Sequence, residues 1–141
     1  MKALSIWQPW ASLIITGKKK IETRSWPAPH SIIGQKIAIA STKTIRREQR
    51  EAEADQAFIQ HYAATSLPSF DKLPLGSVLG TVCVESCRMI DSDFLQTLSE
   101  QEEAFGWYGP GRYAWFLSEP ELFETPIPAR GRQGLWNWCP A

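Results

Sequence analysis

Gly17-Lys18-Lys19-Lys20-Ile21-Glu22-Thr23-Arg24 is the stretch whose reading decides the fold of this chain. An apolar run, Trp10 to Ile15, precedes it, and Trp26-Pro27 follows. Gly17 has the position of a helix-terminating glycine, where a left-handed backbone costs no Cβ clash. The residues after it alternate as a short strand does, with Lys20, Glu22 and Arg24 on one face and Ile21, Thr23 and Ser25 on the other. Glu22 and Arg24, next-but-one on that face, are close enough for a charge-assisted pair. Lys18, Lys19 and Lys20 put positive charge at the mouth of the strand. A solvated edge strand with a basic turn would show the same pattern, so the reading depends on what surrounds it.

Upstream, Lys2 to Ile6 alternates as a first strand, and Gln8-Pro9-Trp10 opens a helix with proline at the first helical position. Downstream, a loop over Pro27–Ser31 leads to an apolar strand, Lys36 to Ala40, which delivers Ser41, Thr42 and Lys43 to its C-terminal end. Thr44 then reads as the N-cap of a long helix from Ile45 to about Tyr62, with Ala54, Phe58 and Tyr62 as its apolar stripe. After a turn-rich linker (Leu67 to Gly76), Ser77–Met89 carries the strongest strand signal, and Gly80 within it marks a bulge or a close backbone approach. Asp91 to Leu98 reads as one or two helical turns. Ser99-Glu100-Gln101-Glu102 has capping-box form and starts a short helix that Gly106 ends. Arg112 to Leu117 is a strand that Leu122 and Phe123 extend past Pro120 or follow with a new one. A loop through Arg130-Gly131-Arg132 precedes a closing strand, Leu135 to Trp138. Strands at both ends and between, with helices inserted, predict an α+β fold: a small β-barrel with peripheral helices.

The 141 residues suit one domain, 1–141, with a core that needs no disulfide or metal. Fifteen basic and fifteen acidic side chains cancel, so nucleic-acid binding would have to come from a local patch. Seven tryptophans are many for this length and suit stacking on bases as well as core filling. The three cysteines form no CxxC pair. With no apolar run long enough for a membrane span and no signal-peptide layout, the expectation is a cytoplasmic protein without membrane association. No histidine or cysteine cluster and no P-loop is present, so neither a metal site nor a cofactor is expected. Catalysis, if any, falls to Lys, Glu, Arg, Tyr, Ser or Thr.

Three constellations could carry function. Lys19 with Glu22 could form an acid/base pair, or Glu22 could simply neutralise Arg24. In the run from Glu102-Glu103 through three glycines to Arg112-Tyr113-Ala114-Trp115, glycines let the backbone approach a ligand while Arg112 lies beside aromatics that stack on bases. Glu102 also has a capping role there. Arg130-Gly131-Arg132 is the kind of loop that grips phosphate, although two exposed arginines on a closing loop would look alike.

Gly17, Lys19, Glu22 and Arg24 together meet the pattern G-x-K-x-x-E-x-R, which resembles the signature of the ASCH domain (activating signal cointegrator homology). Trp7-Gln8-Pro9-Trp10, Gly-Arg-Tyr-Ala-Trp at 111–115 and the ending Gly-Leu-Trp-Asn-Trp extend the resemblance over the whole chain. It implies a PUA-like barrel with a cleft beside the signature strand that accepts RNA or a modified nucleoside. Members of the family differ: some deacetylate N4-acetylcytidine, one relative cleaves RNA, and others bind only. The deacetylating members use a signature lysine, a threonine and a glutamate from a later short helix. By resemblance these roles fall on Lys19 and on Glu102, with Glu103 as its rival, while Glu22 stands in place of the threonine. Trp10 or Trp115 is then expected to stack on a base, and Arg24 and Arg112 to hold phosphate or carbonyl oxygens. Trp7, Gln8, Thr42, Lys43, Tyr113, Arg130 and Arg132 complete the expected ligand contacts. Binding of RNA or a modified nucleoside is the leading expectation. The alternatives are a metal-independent hydrolase of N4-acetylcytidine or RNA, with Lys19, Glu22 and Glu102 catalytic, and a protein-interaction adaptor using helix 45–62.

Overall fold

A computed structural model describes residues 1–140. Six strands, β1 (Lys2–Ile6), β2 (Ile21–Arg24), β3 (Lys36–Ser41), β4 (Ser77–Met89), β5 (Tyr113–Pro128) and β6 (Leu135–Asn137), form one sheet in the order β2-β5-β4-β3-β1-β6. Among the described residues β1 and β3 pair in parallel, and the other neighbours are antiparallel. The sheet curls into a half-barrel, the α+β architecture expected from the strand pattern. Its curl has a local cause: the register of β4 against β5 slips between Val78 and Gly80, Thr81 and Cys83, and Val84 and Ser86, and each irregularity bends the strand.

Helix α1 (Trp10–Ile15) packs across β4, β3 and β5. Ala11, Ile14 and Ile15 join Leu4, Ile37, Ile39, Val82, Val84 and Trp115 in the main core. That close packing explains Gly80, where a Cβ would stand 2.0 Å from the Glu121 carbonyl and 2.8 Å from Ile15. Gly17 follows α1 at φ +77°, as its position predicts, so the chain turns sharply from helix into β2. Pro9, by contrast, is the N-cap of α1 and not its first helical residue.

The expected helix over 45–62 is two helices, α2 (Arg47–Ala54) and α3 (Gln56–Ala63). Asp55 divides them: its backbone is extended and its carboxylate accepts from the Phe58 amide, capping α3. A side chain that competes with the helical ladder ends one helix by starting another. Arg46 takes the N-cap position expected of Thr44, and the break turns Ala52 inward and leaves Ala54 exposed. Ala52, Phe58 and Tyr62 pack with Leu13 and Phe105 in a second cluster beneath α5 (Glu100–Phe105). The short helix α4 (Ser92–Leu95) falls within the predicted turns. β5 runs unbroken past Pro120, with Glu119 at φ +50° absorbing the bend. No helix is long and apolar enough to cross a membrane, among the described residues.

Candidate nucleoside site

Between the β2–β5 edge and the α2–α3 pair lies a cleft of about 650 Å³, within the range of small-molecule sites. Ser5 of β1, Trp10 of α1 and Trp7 between them line it, with Lys19, Glu22, Thr23 and Arg24 from the signature stretch and Gly106, Trp107 and Arg112 from the segment before β5. Pairing of Glu22 with Trp115 and of Arg24 with Tyr113 is what brings the signature strand beside Arg112.

At one end of the cleft is a buried polar ring. Lys19, 3% exposed, donates from Nζ to Tyr108 Oη at 3.1 Å and to Glu102 Oε2 at 3.4 Å. Tyr108 Oη in turn donates to Glu102 Oε2 at 3.0 Å. The other carboxylate oxygen of Glu102 accepts from the Lys20 amide. Ser99 caps α5 through the Glu102 amide, but the Glu102 carboxylate turns to the lysine, so only half of the predicted capping box is used there. Burial holds the Lys19 ammonium below the ordinary lysine pKa, against the opposing pull of Glu102 and Glu22. Burial, and then the Glu102 carboxylate, push the Tyr108 phenol well above its usual value.

Next to the ring, Glu22 is 9% exposed, accepts from the Thr23 amide and pairs with Arg24 at 3.1 Å. Arg24 Nη2 also donates to the Ser5 carbonyl at 2.7 Å, tying the β2 edge to β1. Arg112 Nη2 donates to the Thr23 carbonyl at 3.0 Å, and its guanidinium lies 4.9 Å from the Trp107 ring centre. Burial lowers the Arg112 pKa, with Arg24 adding to the fall and Glu22 opposing it. Arg24 and Arg112 each keep a buried Nε–H without an acceptor among the described residues. Such orphans are uncommon in folded proteins.

The structure therefore brings Lys19, Glu22, Arg24, Arg112, Trp7 and Trp10 to one cleft, with Glu102 behind Lys19. Other expected contacts lie elsewhere. Trp115 is fully buried in the core, edge-on to Trp26 at 5.0 Å, so it offers no face to a ligand. Gln8 is buried and bonds Ser12 and the Pro74 carbonyl, a structural tie below the cleft. Tyr113 packs against the core, and Thr42 and Lys43 sit by the Gly76 turn at the end of β3. Arg130 and Arg132 are exposed on a loop whose Arg132 carbonyl accepts from Ser5 Oγ; they flank the cleft without lining it.

Sequence reasoning missed Trp107 and Tyr108, although both stand in the glycine-rich run it singled out. The signal was the flanking glycines: a Cβ on Gly106 would lie 2.6 Å from the Tyr108 ring, and one on Gly109 2.8 Å from Trp107. It also missed Glu48, Glu51 and Asp55, which line the cleft from α2 and the α2–α3 junction. Away from the cleft, Cys83, Glu85 and Glu119 bring donor atoms within 4.8 Å of one another, two of them exposed carboxylates.

The ASCH domain family model matches residues 4–127. The chain is 28% identical over 134 residues to activating signal cointegrator 1 of Homo sapiens and, to the same extent, of Mus musculus. The match takes in 95% of the chain but only 22% of those relatives' length. Among solved structures, the ASCH protein of Zymomonas mobilis superposes with a TM-score of 0.60 at 21% identity, covering 99% of this chain and 87% of that one.

Proposed function

Since the chain belongs to the ASCH domain family, we propose that its cleft binds the base and ribose of a nucleoside, modified and free or within RNA. The observation that carries this reading is Trp107, 68% exposed on the cleft rim with a guanidinium against its ring. A large aromatic left open beside a buried polar ring is a platform for a flat, polar ligand. Base stacking on Trp107 leaves the Arg112 and Arg24 donors for carbonyl oxygens, and Glu22 accepts from a base N–H. Calorimetric titration with cytidine, N4-acetylcytidine and a short single-stranded RNA tests it. Trp107→Ala should weaken whichever probe binds by about tenfold, as loss of about 1–3 kcal/mol of stacking implies. Equal affinity of the parent and Trp107→Ala would sink the stacking assignment, and a protein that binds none of the probes would sink the reading.

A second reading has its own observation: Lys19 is buried with a lowered pKa beside a carboxylate. In its unprotonated form, which the lowered pKa makes more accessible, Lys19 takes a proton from the water that attacks the acetyl carbonyl of N4-acetylcytidine. Glu102 and Tyr108 relay a proton to the departing amine, so that acetate and cytidine leave as the amide C–N bond breaks. By the resemblance Glu22 stands in place of the family's threonine, and it pairs with Arg24, which supports binding as the first reading. Lys19→Met should abolish any turnover of N4-acetylcytidine. Turnover that survives it would remove Lys19 from the chemistry.

A further inference from the structure

Charge is divided within the cleft by element. The strand side supplies Lys19, Arg24 and Arg112, and the helical side supplies Glu48, Glu51 and Asp55. Two of the three cations are already matched, Lys19 by Glu102 and Arg24 by Glu22. On the helical side, Arg47 pairs with Glu51 at 3.6 Å, both well exposed, and Arg46 lies 5.9 Å from the Trp7 ring centre. Asp55 spends one carboxylate oxygen on the cap of α3. A smaller hollow adjoins the cleft, sharing Asp55, Ala104 and Gly106 with it, and continues the acidic side with Glu100 and Glu103 beside His61. The exposed arginines of the 130–132 loop lie on the other flank, next to Ser5.

This division bears on which part of a nucleoside faces which wall. Carbonyl-rich base edges suit the guanidinium side. Ribose hydroxyls are hydrogen-bond donors and suit carboxylates, which only accept. A phosphate on the ribose would be carried toward those same carboxylates. At about 8 Å in water-like surroundings each unit-charge repulsion lowers affinity roughly two- to threefold; Glu51 is partly offset by Arg47, and Glu48 and Asp55 against a phosphate of charge about −1.5 to −2 together amount to at least about tenfold. An RNA strand threading the cleft would meet the same wall with every added phosphate.

We propose that Glu48, Glu51 and Asp55 are specificity-determining residues that make the cleft take an unphosphorylated nucleoside, ribose toward α2–α3, in preference to its phosphate esters or an RNA strand. The proposal rests on the nucleoside reading above and adds the identity of the discriminating wall. The three side chains reach the cleft from helices that close it and not from the signature strand, so the selection is separable from the Lys19 ring.

The test compares cytidine and N4-acetylcytidine with their 5′-monophosphates and a short single-stranded RNA, by calorimetry at low and high ionic strength. The proteins are the parent and the triple variant Glu48→Gln, Glu51→Gln, Asp55→Asn; asparagine retains the oxygen that caps α3, and circular dichroism with a melting curve checks the fold. In the parent, nucleoside affinity should exceed that of the monophosphate by about tenfold at low salt, shrinking at high salt. In the triple variant the ratio should fall toward one, with RNA gaining affinity. A parent that binds monophosphate or RNA at least as tightly as nucleoside overturns the proposal while leaving the binding reading in place. So does a ratio that the triple variant does not change. If no member of the panel binds the parent, the binding reading falls and the proposal with it.

Discussion

Lys19–Glu102 and Lys36–Glu121 are lysine–glutamate pairs of similar geometry, at 3.4 Å and 3.1 Å, in opposite surroundings. The first is 3% and 12% exposed beside the cleft; the second is 52% and 66% exposed on the outer face of β3 and β5. In the outer pair, Lys36 lowers the Glu121 pKa by hydrogen bond and charge, the ordinary effect of a neighbouring cation. In the inner pair desolvation outweighs the glutamate, and the lysine pKa falls. The shorter pair is thus the unremarkable one. Burial, not distance, makes a lysine chemically available, because an ammonium stripped of water is held in place only by the partners left to it.

The largest expected effect breaks the inner pair on one side. Glu102→Gln leaves the Lys19 ammonium buried without its carboxylate and should cost about 2 kcal/mol in urea unfolding, below the range of about 3–5 kcal/mol for fully buried pairs because Glu102 keeps some solvent. The double variant Lys19→Met, Glu102→Gln removes the buried charge as well and should return to within about 1 kcal/mol of the parent. If the double variant is no more stable than Glu102→Gln, the packing around the ring matters more than its charge.

A smaller effect follows from pH. Between the lowered pKa of folded Lys19 and the ordinary value near 10.4, the unfolded chain holds a proton that the folded chain has released. Parent stability, measured against the Lys19→Met, Glu102→Gln variant, should therefore rise with pH through that window and be lowest below it. Tyr108 acts the other way: its raised pKa means stability lost above about pH 10, where the unfolded phenol ionises first. A difference between the two proteins that stays flat from neutral pH to about 10 would show that Lys19 is not desolvated in solution. Smallest of all, the matching change in the outer pair, Lys36→Met with Glu121→Gln, should leave the urea midpoint where it is. A clear shift there would erase the contrast on which the inner pair's role rests.

Much of the fold was legible because its signals are local. Gly17 ends α1 through its backbone freedom, the β-branched run at 77–89 makes a strand, and Gly80 marks the place where α1 and the Glu121 backbone come too close for any side chain. The long helix was misread because a 3.6-residue period continues across Asp55, whereas the decision between one helix and two lies in a single carboxylate bonded to an amide three residues on. At the site, the alternation of β2 told correctly that Glu22 and Arg24 pair. It could not tell that Trp115, three residues from the cleft-lining Arg112, points into the core. A strand's two faces are equivalent until the sheet curls and α1 covers one of them.

By itself, the sequence determined the signature stretch, its helix-to-strand turn and the family to which these residues belong, since spacing and residue type are sufficient for each. Tertiary structure alone decided that Lys19 is the buried lysine of three in a row. Lys18 and Lys20 remain in water, while Tyr108 and Glu102, 89 and 83 residues away in sequence, close over Lys19. The physical reason is that desolvation belongs to the environment a side chain enters, and here elements distant in sequence build that environment.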